Sequence, residues 1–126
     1  MDKTALVGMD IEKGSRVLEI LDEAGLEIHV ALWAFLDDYE DWRFVLSSRK
    51  FDAGDIRKAY GLYHAALEKA GMDYEETPFT MILGPKDLFI RALRKKFGKD
   101  KRVEGTRIYS QRFGDRFAQQ GYVYRA

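Results

Sequence analysis

The stretch EIHVALWAFL, residues 27–36, decides how the rest of the chain is read. Its apolar side chains fill two alternating sets, with Ile28, Val30, Leu32, Ala34 and Leu36 on one face and Ala31, Trp33 and Phe35 on the other. A strand that is apolar on both faces is typical of a sheet that is covered on both sides. We therefore predict a central strand here.

The residues that follow this strand predict a hairpin. The acidic run at residues 37–41 interrupts the apolar pattern, and alternation resumes over residues 42–48, where Trp42, Phe44 and Leu46 share one face. Two alternating segments joined by a short polar link are typical of antiparallel strands. The link has five residues in this interpretation.

Three segments carry the spacing of amphipathic helices. Apolar residues recur every three or four positions over residues 11–24, over residues 55–70, and from the Gly84-Pro85-Lys86-Asp87 opening to Phe97. Each segment is followed by a glycine that can end a helix, namely Gly25, Gly71 and Gly98. Between the second and third helices, residues 77–83 are short and apolar and predict a buried strand.

The end of the chain predicts a second hairpin, from residues 103–113 and 117–125 around the turn-forming pair Gly114-Asp115. The predicted order is α-β-β-α-β-α-β-β. It indicates an α+β fold with three helices and a five-stranded mixed sheet, in which two hairpins are joined through a middle strand by two crossover helices. Residues 1–10 show no period and are interpreted as a loose tail, and residues 11–126 as a single domain.

The composition of the chain argues against cysteine-based sites, against a membrane protein and against a secreted protein. The chain has 126 residues, 46% of them hydrophobic, and contains no cysteine, which excludes disulfides, thiolate metal sites and cysteine nucleophiles. No run approaches the roughly 18 apolar residues of a membrane span. The start of the chain is too short and too acidic for a signal peptide. We expect a cytoplasmic protein with no membrane partner.

Charge is strongly segregated along the chain, although the formal net charge is zero. Residues 1–84 carry 17 acidic and 9 basic side chains, a net charge of −8, whereas residues 85–126 carry 4 acidic and 12 basic ones, a net charge of +8. Such asymmetry favours an acidic or nucleic-acid partner if the two regions stay apart after folding.

The densest part of the basic region lies at the third helix and the loop after it. Its cations are Arg91, Arg94, Lys95, Lys96, Lys99, Lys101 and Arg102. Helical spacing allows Arg91, Arg94 and Lys95 to share an exposed face. This pattern predicts a surface for anions, nucleic acid or an acidic partner, and the alternative is a solvated helix face with cations near its C-terminal dipole.

The acidic link between the first two strands is a candidate partner loop, made of Asp37, Asp38, Tyr39, Glu40 and Asp41. The run lacks the alternation and the distant glutamate of a calcium loop, so a solvated hairpin tip is the alternative. His29 and His64 each have one carboxylate within reach along the chain, and two ligands do not make a metal site. No metal site is predicted.

Motifs for catalysis or cofactor binding are missing from the sequence. It contains no Glu-x-Lys or Asp-x-Lys tripeptide, no G-x-S-x-G, no H-E-x-x-H and no paired-glycine dinucleotide motif. We therefore predict no catalytic residue and no cofactor.

The last hairpin combines aromatic and basic side chains: Tyr109, Phe113, Phe117, Tyr122 and Tyr124 with Arg107, Arg112, Arg116 and Arg125. Rings and guanidinium groups in this arrangement favour a stacking platform for single-stranded nucleic acid. The alternation also places rings on the core side of a half-covered sheet, and core packing is the preferred interpretation for most of them.

Several runs resemble a loose group of small bacterial proteins of unassigned function. They are Ala31-Leu32-Trp33, Trp42-Arg43-Phe44-Val45-Leu46, the helix around Ala59-Tyr60, and Tyr122-Val123-Tyr124-Arg125. The resemblance extends from Asp10 onward and lies in core positions. It implies a bacterial cytoplasmic origin and transfers no activity and no catalytic residue.

Three functional hypotheses follow from these observations. The first is a non-enzymatic binding module that uses the basic region to contact nucleic acid or a protein partner. The second is a small metal-dependent enzyme that acts on phosphate-containing substrates with carboxylates from separate segments. The third is a self-associating structural protein, a homo-oligomer in which the acidic link of one copy meets the basic region of another.

Overall fold

The apolar stretch at residues 27–36 forms the middle of a five-stranded sheet in the computed structural model, which describes residues 8–51 and 54–126. The elements in chain order are α1 (Gly8–Glu23), β1 (Ile28–Leu36), β2 (Asp41–Ser48), α2 (Ile56–Lys69), a 3-10 turn (Tyr74–Glu76), β3 (Thr80–Ile82), α3 (Leu88–Phe97), β4 (Thr106–Phe113) and β5 (Arg116–Arg125). The predicted α+β class, the three helices and the order α-β-β-α-β-α-β-β are confirmed.

The sheet order is β3-β2-β1-β5-β4. β1 pairs antiparallel with both β2 and β5, and β4 pairs antiparallel with β5. β3 pairs in parallel with β2, which makes the sheet mixed. The central position predicted for β1 is confirmed.

The predicted place of β3 is wrong, because this strand lies at an edge and does not join the two hairpins as a middle strand. It has three residues, shorter than the predicted 77–83, and Pro78 just before it lacks the N–H that a strand ladder needs. α2 covers its outer side, where the Tyr60 hydroxyl accepts the N–H of Ile82 at 3.0 Å. This contact protects the edge from further strand pairing.

Two helices begin at places that differ from the predictions. α1 begins at Gly8, inside the predicted tail, and residues 1–7 of that tail lie outside the described residues. α3 begins after Asp87 and not at Pro85, because the Asp87 carboxylate caps the helix by accepting the N–H of Phe89 at 2.9 Å. A side-chain oxygen at this position satisfies a backbone donor that the helix leaves free.

The core has two layers, one on each face of the sheet. α1 and α2 pack on the first layer through Val17, Leu21, Ala59, Tyr63 and Leu67. α3 packs on the second through Phe89, Ile90, Leu93 and Phe97. This arrangement explains why both faces of β1 are apolar.

A bulge in β1 corrects one predicted side-chain direction. Ile28 pairs with Ser48 and Val30 pairs with Ser47, so the register shifts by one residue at His29. Ile28 consequently lies in the α1 and α2 layer, while Val30 lies in the α3 layer. Simple alternation predicted Ile28 and Val30 on one face. The extra residue in the bulge reverses the face on which the following side chain lies.

Candidate functional site

The seven cations of residues 91–102 form what we call the basic surface, defined by Arg91, Arg94, Lys95, Lys96, Lys99, Lys101 and Arg102. Burial of Phe89, Leu93 and Phe97 turns the opposite side of α3 to solvent. Six of the seven cations are exposed, and Arg94 is half-buried. The predicted amphipathic division of this helix therefore places its positive charges outside the core.

The basic surface keeps its charge after folding. Within residues 8–51 and 54–126, three ion pairs form: Arg43 with Asp41, Lys50 with Glu27, and Arg125 with Asp22. None of them involves the basic surface. The loop carboxylate of Asp100 is engaged locally, where it accepts the backbone N–H of Arg102 at 2.9 Å.

One ion pair joins the basic part of the sequence to the acidic part. The Arg125 guanidinium donates to both carboxylate oxygens of Asp22, at 2.8 and 2.6 Å, and to the carbonyl oxygen of Ile28 at 3.0 Å. The hydrogen bond from Arg125 lowers the pKa of Asp22 below its ordinary value of 3.8. Charge cancellation between the two segments is thus found at the C-terminal end of β5 and α1.

Replacing Asp22 by Asn is expected to lower the free energy of unfolding by up to about 1 kcal/mol near neutral pH, since both partners are partly exposed. The lowered pKa of Asp22 means that the pair stabilises the fold above about pH 4 and that this contribution is lost as pH falls through the folded pKa. Urea unfolding should show the difference between wild type and Asp22→Asn shrinking from about pH 7 to about pH 2. Glu23→Gln changes the neighbouring exposed carboxylate and serves as the control. An equal loss of stability in this variant would contradict the attribution of the effect to the pair of Asp22 with Arg125.

The basic surface reaches the edge strand β4 through one side chain. The Lys96 ammonium donates to the amide oxygen of Gln111 and lies 5.6 Å from the ring centroids of Phe97 and Phe113. Gln111 is followed by Arg112, whose side chain is exposed. The basic surface and the Arg112 guanidinium therefore lie on the two sides of the same edge strand.

A second group of side chains, three exposed and two half-buried, lies on the sheet itself. We call it the open sheet face and define it by Arg107, Tyr109, Arg112, Phe117 and Tyr122. Arg107 pairs across the strands with Tyr122, and its guanidinium carbon is 4.9 Å from that ring centroid. Arg112 pairs with Phe117 at 6.0 Å. Tyr109 is 70% exposed. Cations and rings thus alternate on one surface.

An irregularity at Ser110 brings these side chains to one face. Ser110 has a φ of 45° and lies unpaired between Tyr109, opposite Gln120, and Gln111, opposite Ala118, while the register of the two strands does not shift. Strict alternation would place residues 109 and 112 on opposite faces. Ile108 and Phe113 nevertheless both lie in the α3 layer, so the alternation is interrupted between them, and Tyr109 and Arg112 both fall on the other face.

The aromatic side chains of the last hairpin divide between core and surface. Phe113 and Tyr124 are buried, as core packing predicts. Tyr109 is exposed, and Phe117 and Tyr122 are half-buried. The four arginines divide as well, because Arg125 pairs with Asp22 and the Nε atom of Arg116 is buried.

The acidic link forms a hairpin tip of four residues, 37–40, and Asp41 is the first residue of β2. Two of its carboxylates are engaged: Asp37 accepts from Gln119 at 2.7 Å, and Asp41 accepts the N–H of Trp42 at 2.8 Å. Tyr39 is 45% exposed, and its ring lies 4.7 Å from the Arg43 guanidinium carbon. The Phe79 ring lies on the same guanidinium, with its centroid 4.3 Å from the guanidinium carbon, and no pattern in the sequence predicts this contact.

The two histidines occupy different settings. His29 lies at the β1 bulge and borders a cavity of about 490 Å³ that Ser15, Lys101 and Arg125 also line. Burial lowers the pKa of His29, and nearby Arg94 and Arg49 lower it further. His64 is exposed and packs edge-on against Tyr63 at 5.1 Å.

Two buried tyrosines also have altered acidity. Burial raises the pKa of Tyr63 to about 12, while its hydrogen bond with Thr80 acts in the opposite direction. Burial likewise raises the pKa of Tyr124, which donates to the carbonyl oxygen of Ile11 at 2.6 Å. Both hydroxyls therefore stay protonated and serve as structural hydrogen-bond groups.

Metal-ligating side chains do not gather in groups of three or more anywhere in residues 8–51 and 54–126. No helix among those same residues has the length and apolar character needed to cross a membrane. Comparison of the chain with protein-family models, with curated proteins and with solved structures gives no match. The resemblance to small bacterial proteins therefore stays a prediction.

Proposed function

We propose that this protein is a cytoplasmic binding module that holds nucleic acid on its basic surface without catalysing a reaction. The observation that supports this proposal most strongly is the cluster of seven cations on α3 and the following loop, none of which has an ion-pair partner among the described residues. Unpaired lysines and arginines attract phosphate by releasing its counterions. The absence of cysteine suits a reducing compartment.

Two further features favour nucleic acid over an acidic protein. Lys96 links the basic surface to β4, where Arg107 and Arg112 are also exposed. Aromatic rings lie beside both of these arginines, and a nucleic acid offers flat bases in addition to phosphate. The acidic side chains of a peptide present carboxylates, which offer no ring for stacking.

The proposal predicts that the affinity for an oligonucleotide falls as salt rises, and that this affinity requires the basic surface. Changing Arg91, Lys95 and Lys99 to Gln removes three exposed cations. The plot of log affinity against log salt should become shallower, its negative slope shrinking in magnitude by about 2, since each phosphate contact to a single strand contributes about 0.7. Affinity near 50 mM salt should fall by about tenfold or more. Fluorescence anisotropy with a labelled oligonucleotide measures both quantities.

A matched control removes the same charge elsewhere. Arg57, Lys58 and Lys69 are exposed on α2, in the other helix layer, and their change to Gln is expected to leave the slope nearly unchanged. Equal losses in the two triple variants would show that binding follows net charge alone and would overturn the proposal.

An acidic protein partner and self-association, two of the alternatives, give different results in competition and light-scattering experiments. Displacement of the oligonucleotide by polyglutamate at equal charge concentration would favour an acidic protein partner. Light scattering across a salt series would reveal self-association as a mass that falls as salt rises. In that case the Gln variants of the basic surface should be monomeric at every salt concentration.

A further inference from the structure

The structure assigns the open sheet face as a platform on which the unpaired bases of a single strand of nucleic acid stack. This inference rests on the proposed function and adds to it the form of nucleic acid that is bound. The basic surface supplies attraction to phosphate, which any nucleic acid satisfies. The open sheet face supplies flat groups, which only exposed bases can use.

The first step of the argument is that this part of the sheet lacks a covering layer. In the layer formed by α1 and α2, α1 lies over β1, while α2 lies over the opposite edge at β3. The β4 side chains on this face, Arg107, Tyr109 and Arg112, are all exposed. A large exposed ring such as Tyr109 between two arginines is a feature that packing within the chain does not use.

The second step concerns the chemistry of the exposed groups. Arg107 lies over Tyr122 and Arg112 lies near Phe117, so each guanidinium already faces an aromatic ring. Neither arginine forms an ion pair with a carboxylate in the described parts of the chain. Rings and guanidinium planes stack on bases with little regard to base identity. The surface therefore fits single strands of varied sequence.

The third step is continuity of charge. Lys96 of the basic surface reaches Gln111, the residue next to Arg112. Gln111 lies on the α3 side of β4, whereas Arg112 lies on the open sheet face, because successive side chains of a strand point to opposite faces. Since β4 is an edge strand, a single strand whose bases lie on the open sheet face reaches the basic surface with its phosphates by passing over that edge. In a duplex the faces of the bases are hidden by stacking within the helix, so a duplex can use only the cations.

Tyr109→Ala tests the platform directly, because this side chain is exposed and its loss should not disturb the core. With a ten-residue oligouridine as the probe, we expect the affinity to fall by about tenfold or more while the salt slope stays unchanged. Tyr109→Phe keeps the ring and should bind like the wild type. Tyr39→Ala removes an exposed ring of the hairpin tip and serves as the matched control.

The outcomes separate this inference from the proposed function. If Tyr109→Ala binds as tightly as the wild type while the Gln variants of the basic surface lose their salt-dependent affinity, the platform is wrong and the proposed function stands. Equal affinity for a duplex of the same length would also overturn the platform. Binding of oligouridine or of oligothymidine, with loss on Tyr109→Ala, supports it, and the ratio of the two affinities reports the preferred sugar. Failure of both single strands and the duplex to bind at low salt would overturn both proposals.

Discussion

Replacing Phe89 by Ala is expected to lower the free energy of unfolding by about 3–5 kcal/mol. Phe89 is completely buried in the layer between α3 and the sheet, and its ring packs edge-on against Phe113 with centroids 6.0 Å apart. The alanine variant loses the burial of the ring and leaves a cavity that the flanking helix cannot fill. Because small domains are stable by only about 5–15 kcal/mol, this change removes a large share of the total.

Urea unfolding measures this effect, and the neighbouring residue supplies the control. Leu88 is 56% exposed at the start of the same helix, so Leu88→Ala should change the free energy of unfolding by less than about 0.5 kcal/mol. A loss below about 1 kcal/mol for Phe89→Ala would mean that α3 does not depend on this contact. Since α3 carries Arg91, Arg94, Lys95 and Lys96, its docking also decides where the basic surface lies.

Gly14→Ala is expected to lower the free energy of unfolding by up to about 2 kcal/mol, although alanine is the better helix former. A Cβ atom at Gly14 would meet the hydroxyl of Tyr124 and lie 3.0 Å from the Cε1 atom of Phe44. Tyr124 cannot easily withdraw, because its hydroxyl donates to the Ile11 carbonyl and accepts from the Trp33 indole at 3.1 Å. Overpacking costs about 1–3 kcal/mol, and the gain in helix propensity offsets about 1 kcal/mol of it.

Two further variants test this explanation. Gly61 lies inside α2 with open space around it, so Gly61→Ala should raise the free energy of unfolding by up to about 1 kcal/mol. Removing the hydroxyl with Tyr124→Phe should relieve the overlap, so the double variant with Gly14→Ala should lose less stability than the sum of the two single changes. Thermal or urea unfolding of the four proteins gives this coupling, and strict additivity would refute the overlap.

The features that the sequence predicted correctly depend on residues close together in the chain. The two apolar faces of residues 27–36, the start of α2 near Asp55, the glycine at the end of α2 and the turn at Gly114-Asp115 are each encoded within a few positions. Helical spacing also located the basic surface, because the buried stripe of α3 determines which side chains remain outside. These parts of the fold and of the site could be predicted without tertiary information.

Features that depend on strand pairing could not be predicted in this way. Nothing near residues 80–82 indicates that β3 pairs with β2 at an edge, since its partner lies more than 30 residues away along the chain. The bulge at His29 inserts one residue into the β1–β2 ladder and reverses the faces that alternation predicts. At Ser110 the alternation of β4 is interrupted without a register shift against β5, and the open sheet face follows from that interruption, because Arg112 and Tyr109 would otherwise point in opposite directions.

Taken alone, the sequence determined the three helices, the two hairpins, the central strand and the separation of acidic from basic residues. Only the tertiary structure decided whether those charges cancel. It joins Asp22 to Arg125 and leaves the basic surface without ion pairs in the described residues. The physical reason is that ion pairing is short-ranged: a charge is neutralised by the side chains that folding brings within a few ångströms of it, and their positions along the chain do not reveal that distance.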